Sequence, residues 1–69
     1  MRNFVNNGQD STLKHMVKVK NRPNQKPMVK WCSENCNERW TVFMGWDHME
    51  WRFEQHQDAV WFKLRWGEL

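Results

Sequence analysis

Residues 13–20 (LKHMVKVK) alternate strictly, with Leu13, His15, Val17 and Val19 on one face and Lys14, Met16, Lys18 and Lys20 on the other. Period two predicts a strand with one buried face and one wet, basic face. The following NRPNQK is a loop broken by Pro23. Pro27 suits the first turn of a helix, where its missing N–H is harmless. Met28, Trp31/Cys32 and Cys36 then recur at the i, i+4, i+8 spacing of a helical stripe that Asn37 can stop.

A second alternation covers 39–46 (RWTVFMGW). It sends Trp40, Val42, Met44 and Trp46 one way and Thr41, Phe43 and Gly45 the other. Residues 49–54 (MEWRFE) answer it, with Met49, Trp51 and Phe53 inward and Glu50, Arg52 and Glu54 in water, so the two runs form a hairpin turning at Trp46-Asp47-His48. Residues 57–66 form a second helix. Asp58 stands where an N-cap or first-turn acid belongs, and Gly67 fits a C-terminal stop.

The pattern is β-α-β-β-α. It predicts an α+β two-layer sandwich, a three-stranded antiparallel sheet with two helices on one face. Its core is expected to hold Trp40, Val42, Met44, Trp51 and Phe53 under Ala59, Phe62 and Trp66, with Met28 and Cys32 from the first helix. Residues 1–12, rich in Asn, Gln and Gly, are expected to form a flexible segment outside a single domain at 13–69. A ferredoxin-like unit reads β-α-β-β-α-β, and its last strand lies beside its first. The expected order here lacks that strand, which leaves the lysine-bearing strand as a sheet edge. Lysines discourage random pairing there, while the unpaired backbone still admits a specific partner.

The second helix carries more apolar surface than one sheet can hide. At 100° per residue Ala59, Phe62 and Trp66 make one stripe, and Val60, Trp61 and Leu64 make another. The outer stripe, with Arg65 beside it, is the candidate protein-binding surface, for a partner protein or a second copy of the chain. The competing expectation is that Phe4, Val5 and Leu13 fold back and cover it.

Composition narrows the function classes. The chain has 69 residues, six Trp, four Phe and two Cys. It is one domain at most, and aromatic mass stands in for the disulfides or metal on which small domains often rely. The opening residues are polar, and nothing approaches the ~20 apolar residues of a membrane span. A cytoplasmic protein with free thiols is the expectation. No nucleophile elbow, phosphate loop, dinucleotide fingerprint or metalloprotease helix is present, and so short a chain can hardly enclose a substrate pocket beside a core. A non-enzymatic role follows, with no cofactor. Cys32 and Cys36 make C-x3-C, but His15, His48 and His56 are scattered and supply no second ligand pair, so small core thiols are expected rather than zinc.

Charge keeps a second function open. Residues 1–30 hold seven basic groups against one acid, a net +6, while residues 31–69 hold four against seven, a net −3. Lys14, Lys18, Lys20, Arg22, Lys26 and Lys30 are the candidate contacts of a small nucleic-acid-binding module. The bland alternative is a lysine-rich strand and loop kept soluble by charge.

The run W-R-F-E-x-x-x-D-A-x-x-F-x-L-x-W, from Trp51 to Trp66, resembles the ending of small accessory proteins of tailed bacteriophages. The preceding K-P-M-V-K-W-C helix and Trp-rich hairpin are similar too, so the resemblance covers roughly residues 15–67. It implies a truncated ferredoxin-like fold and a viral origin. It also implies a protein that binds and modulates, most often inhibits, a host protein in the host cytoplasm. It carries over no catalytic or binding residue.

Overall fold

The computed structural model describes residues 2–21 and 24–66. Its elements are β1 (His15–Lys20), α1 (Lys26–Asn35), β2 (Trp40–Met44), β3 (His48–Phe53) and α2 (His56–Trp66). This is the expected β-α-β-β-α order, with each boundary within two residues of expectation. The stop expected at Gly67 and the break expected at Pro23 lie outside the described residues.

The three strands form one antiparallel sheet in the order β1-β3-β2. Val17 lies opposite Trp51, and Trp51 lies opposite Val42, so the central strand carries the inward stripe across the sheet. Met49, Trp51 and Phe53 are fully buried on that face. Val17 and Val19 join them from β1, Trp40 from β2, Met28 and Cys32 from α1, and Ala59, Phe62 and Trp66 from α2. Both helices therefore lie on one side of the sheet. The aromatic rings interlock: Trp51 and Phe62 stand 4.9 Å apart between centroids, Phe53 and Phe62 5.2 Å, and Trp40 stacks on Trp51 at 6.1 Å. Separations of this size suit offset or tilted ring packing.

α1 begins at Lys26 with Pro27 in its first turn, and Gln25 accepts the first amides, from Met28 at 3.0 Å and Val29 at 3.1 Å. Cys36 closes the helix, donating its N–H to Cys32 O at 3.0 Å before the backbone turns extended.

One expected core residue is displaced: Met44 is 49% exposed, and Trp46, which continues its stripe into the turn, is 99% exposed. The inward stripe of β2 fades along the strand because α2 packs over β1 and β3, and the far end of β2 reaches beyond that cover. The chain also leaves the sheet early. Gly45 N–H donates to His48 O at 2.9 Å, which closes the hairpin and sets Trp46 at its tip. Asn21 holds the tip from the end of β1, its backbone N–H reaching Asp47 O at 3.1 Å and its Nδ2 reaching Trp46 O at 3.1 Å.

The N-terminal segment, expected to be loose, makes specific contacts with β2. Trp40 N–H donates to Asn3 O at 3.0 Å and Val5 N–H to Trp40 O at 2.9 Å, a parallel bridge centred on Phe4 and Trp40. Trp40 Nε1 donates to Arg2 O at 2.9 Å, Thr41 Oγ1 to Val5 O at 2.6 Å, and the Phe4 ring lies 5.1 Å from that of Trp40. These bonds satisfy the start of the outer edge of β2, at Trp40, in an otherwise unpaired row of backbone groups. At Gly8 the chain passes so close to β2 that a Cβ would stand 2.8 Å from Val42 O. Asp10 then organises the next turn, accepting from Thr12 N–H at 2.9 Å and Thr12 Oγ1 at 2.7 Å.

Candidate functional site

α2 turns Ala59, Phe62 and Trp66 into the core, and helical geometry leaves the next positions around the circumference facing outward. Leu64 is 81% exposed and Trp61 45%. Among the described residues the N-terminal segment does not cover them, because Arg2, Asn3 and Val5 are engaged along β2. Trp61, Leu64 and Arg65 share a shallow depression with Trp31 of α1. Trp31 is half-buried, its ring edge-on to Trp66 at 5.5 Å and to Phe62 at 6.0 Å. The guanidinium of Arg65 lies 4.7 Å from the centre of the Trp66 ring, which holds it against the helix end.

Three of the four expected protein-contact residues thus lie together. The fourth, Val60, is half-buried and lines a different groove, the one between α2 and β1. Trp31 is a member of this face that the sequence reading placed in the core stripe. Its offset of one residue from Cys32, 100° around α1, is the signal that separates the two.

The candidate nucleic-acid residues are divided. Lys14, Lys18 and Lys20 are exposed, the last two on the sheet face opposite the helices. Lys26 and Lys30 are exposed on α1, which lies on the other side, beside a depression shared with Val29, Ser33 and Glu34. Arg22 lies outside the described residues. Lys18 also stands opposite Glu50 in the strand pairing, and Glu50 in turn lies 3.8 Å from Arg52, so the lysine face is partly neutralised.

Cys32 and Cys36 are fully buried free thiols. Burial pushes the Cys32 thiol far above its ordinary range, reinforced by the hydrogen bond its S–H donates to Cys36 and by the charges of Cys36 and Asp58. The thiolate is the nucleophile and the metal ligand, so this environment disfavours both roles. Among the described residues no three His, Cys, Asp or Glu side chains gather around one point. The histidines are nonetheless not all scattered: His15 and His56 meet edge-on at 5.2 Å, because β1 and α2 are neighbours. His48 instead lies beside Asp47, Nδ1 to Oδ1 at 3.0 Å.

Asp58 lies in the first turn of α2, as its position predicts, and has a further role that the sequence does not show. Its side chain is fully buried, and Oδ2 accepts the backbone N–H groups of Asn37 at 3.1 Å and Glu38 at 3.4 Å. It therefore braces the loop between α1 and β2 against the start of α2. Among the described residues no helix is long and apolar enough to cross a membrane. Comparison of the chain with protein families, with characterised proteins and with solved structures finds no match.

Proposed function

We propose that the chain is a non-catalytic binding module that docks on a protein through Trp61, Leu64, Arg65 and Trp31 and modulates that protein by occupying its surface. The observation that carries this reading is an apolar face on a helix whose other face is already committed: Leu64 is 81% exposed and Trp61 45%, while Phe62 between them is fully buried. A monomer gains nothing by presenting these groups to water, and clustered Trp and Arg are the residue types that dominate binding hot spots. The likeness to phage accessory proteins adds a host protein as the target and inhibition as the consequence.

The test is capture from host lysate with wild type beside Leu64→Asp and Trp61→Asp, each variant shown to be folded by circular dichroism. One partner retained by wild type and lost by both variants supports the reading. Equal capture by all three overturns it. Sedimentation of the purified chain asks the same question of a second copy, with the dimer expected to vanish in Leu64→Asp.

A nucleic-acid role is the second reading, favoured by the alignment of Lys18 and Lys20 on one sheet face beside exposed Lys14. Phosphate contacts release counterions, so such binding would fall steeply between about 50 and 200 mM salt, whereas an apolar protein contact would hardly change. The division of the basic residues between two faces makes it the weaker of the two.

A further inference from the structure

The two edges of the sheet are treated differently. Residues 3–5 pair with the outer edge of β2 at Trp40, but among the described residues no backbone segment pairs with the outer edge of β1. Beside that edge, β1 and α2 diverge to leave a groove of about 300 Å³. Met16, Val17, Ala59 and Val60 give it an apolar lining, His15 and His56 lie at one end, and Lys63 stands on the helix side. No acidic side chain lines it among the described residues. On the opposite face of β1, Lys18 and Lys20 are exposed, and Lys14 is exposed just before the strand.

From this arrangement we infer that the outer edge of β1 and the β1–α2 groove accept an extended acidic segment of a partner protein, which joins the sheet as a fourth strand. This rests on the protein-binding reading but uses a surface distinct from the Trp61–Leu64 face. Strand addition draws affinity from main-chain hydrogen bonds and specificity from alternate side chains. Alternation sends every second side chain of the incoming strand into the apolar groove and the others past the lysines. The favoured segment therefore alternates small apolar residues with carboxylates. Charge also argues against a second copy as the occupant. Two antiparallel β1 edges would bring Lys14, Lys18 and Lys20 of one chain alongside those of the other, and like charges in cross-strand positions are destabilising.

The probe is an acetylated, amidated heptapeptide of alternating glutamate and valine, titrated into the isotopically labelled full chain and followed by amide chemical shifts. The expected result is saturable shifts along residues 14–20 and at Ala59, Val60 and Lys63. Affinity should fall about tenfold in the Lys14→Glu/Lys18→Glu double variant and about tenfold for a peptide with lysine in place of glutamate, as several lost cross-strand charge pairs imply. N-methylation of alternate peptide nitrogens should abolish binding.

Shifts confined to the Trp61–Leu64 face, or no shifts, overturn the inference. So does a concentration-dependent dimer whose protected amides are those of β1. If the peptide fails while Leu64-dependent capture persists, the groove alone is lost. If both fail, the protein-binding reading goes with it.

Discussion

The buried carboxylate of Asp58, in the first turn of α2, accepts the backbone N–H of Asn37 at 3.1 Å across 21 positions of sequence. The same oxygen takes Glu38 N–H at 3.4 Å, so one side chain satisfies two amides just after α1 ends. Removing it strips the acceptor from two part-buried amide bonds, and a hydrogen bond to a charged group typically contributes about 1.5–3 kcal/mol. Asp58→Ala is expected to lose stability in that range in urea unfolding. Asp58→Asn, which keeps an acceptor oxygen, should lose less. Equal losses in the two variants would mean that packing, not the hydrogen bonds, holds the loop.

Gly8 is required where the N-terminal segment crosses β2. An added Cβ would meet Val42 O at 2.8 Å and Phe43 Cα at 3.1 Å, both within the rigid strand. Gly8→Ala must therefore push the segment away from β2, and overpacking of this kind typically costs about 1–3 kcal/mol. Hydrogen exchange offers the direct check: in wild type the Trp40 and Val5 amides, bonded to Asn3 O and Trp40 O, should be protected, and in Gly8→Ala both should exchange faster.

Much of this fold is legible in the sequence because local period and burial agree. The alternation of β1, the inward stripe of β3 and the Ala59–Phe62–Trp66 stripe all describe faces that the structure buries. What escaped the sequence was set by elements remote from the residues concerned. Met44 and Trp46 continue the apolar alternation of β2, but no pattern within 39–46 reveals that α2 lies over the other two strands. Asp58 has the position of a helix-start acid, and only the fold brings Asn37 to it. The bonds of residues 2–5 to β2 depend on backbone groups, which carry no side-chain signature. At the candidate interface, exposure of Trp61 and Leu64 follows from helical geometry alone. The participation of Trp31, by contrast, needed the packing of α1 beside α2.

The exposed hairpin tip has an optical consequence. Trp40 and Trp51 are fully buried, whereas Trp46 is 99% exposed. Iodide reaches only solvent-facing indoles, so Trp46→Phe should remove a large share of the quenchable fluorescence of the native protein. It should leave the unfolding midpoint nearly unchanged, because surface substitutions away from special contacts usually alter stability by no more than ~0.5 kcal/mol. Unchanged quenching would place Trp46 back against the sheet, as its alternation alone predicts.

Acid should weaken the fold through Glu54. Its carboxylate grips Arg39 at both ends, Oε1 to Nε at 3.1 Å and Oε2 to Nη2 at 2.9 Å, which holds its pKa below the ordinary value of 4.5. A depressed folded-state pKa means that the stabilising contribution is fully present above about pH 4.5 and is lost as pH falls through the lower, folded value. Asp10, held down by its Thr12 hydrogen bonds, acts in the same direction below its ordinary 3.8. Unfolding midpoints should therefore decline from about pH 4.5 downward. Glu54→Gln should start lower at neutral pH and decline less steeply, and parallel curves would exclude the pair as a cause.

The two faces of α2 should separate stability from binding. Phe62 is fully buried among Trp51, Phe53, Trp31 and Trp66, and truncating such a ring typically costs about 3–5 kcal/mol, so Phe62→Ala should be largely unfolded or close to it. Leu64, two residues on, is 81% exposed and buries little. Leu64→Asp should cost under about 1 kcal/mol, part of it from placing a carboxylate near the negative end of the helix dipole. Truncating a true anchor at an interface, by contrast, typically costs about 2 kcal/mol or more of binding free energy. The expected pattern is thus a folded Leu64→Asp chain with a nearly wild-type melting curve and at least a tenfold weaker hold on its partner. If Leu64→Asp melts early as well, the residue is packed against the chain itself, and the exposed face would have to be sought elsewhere on the molecule.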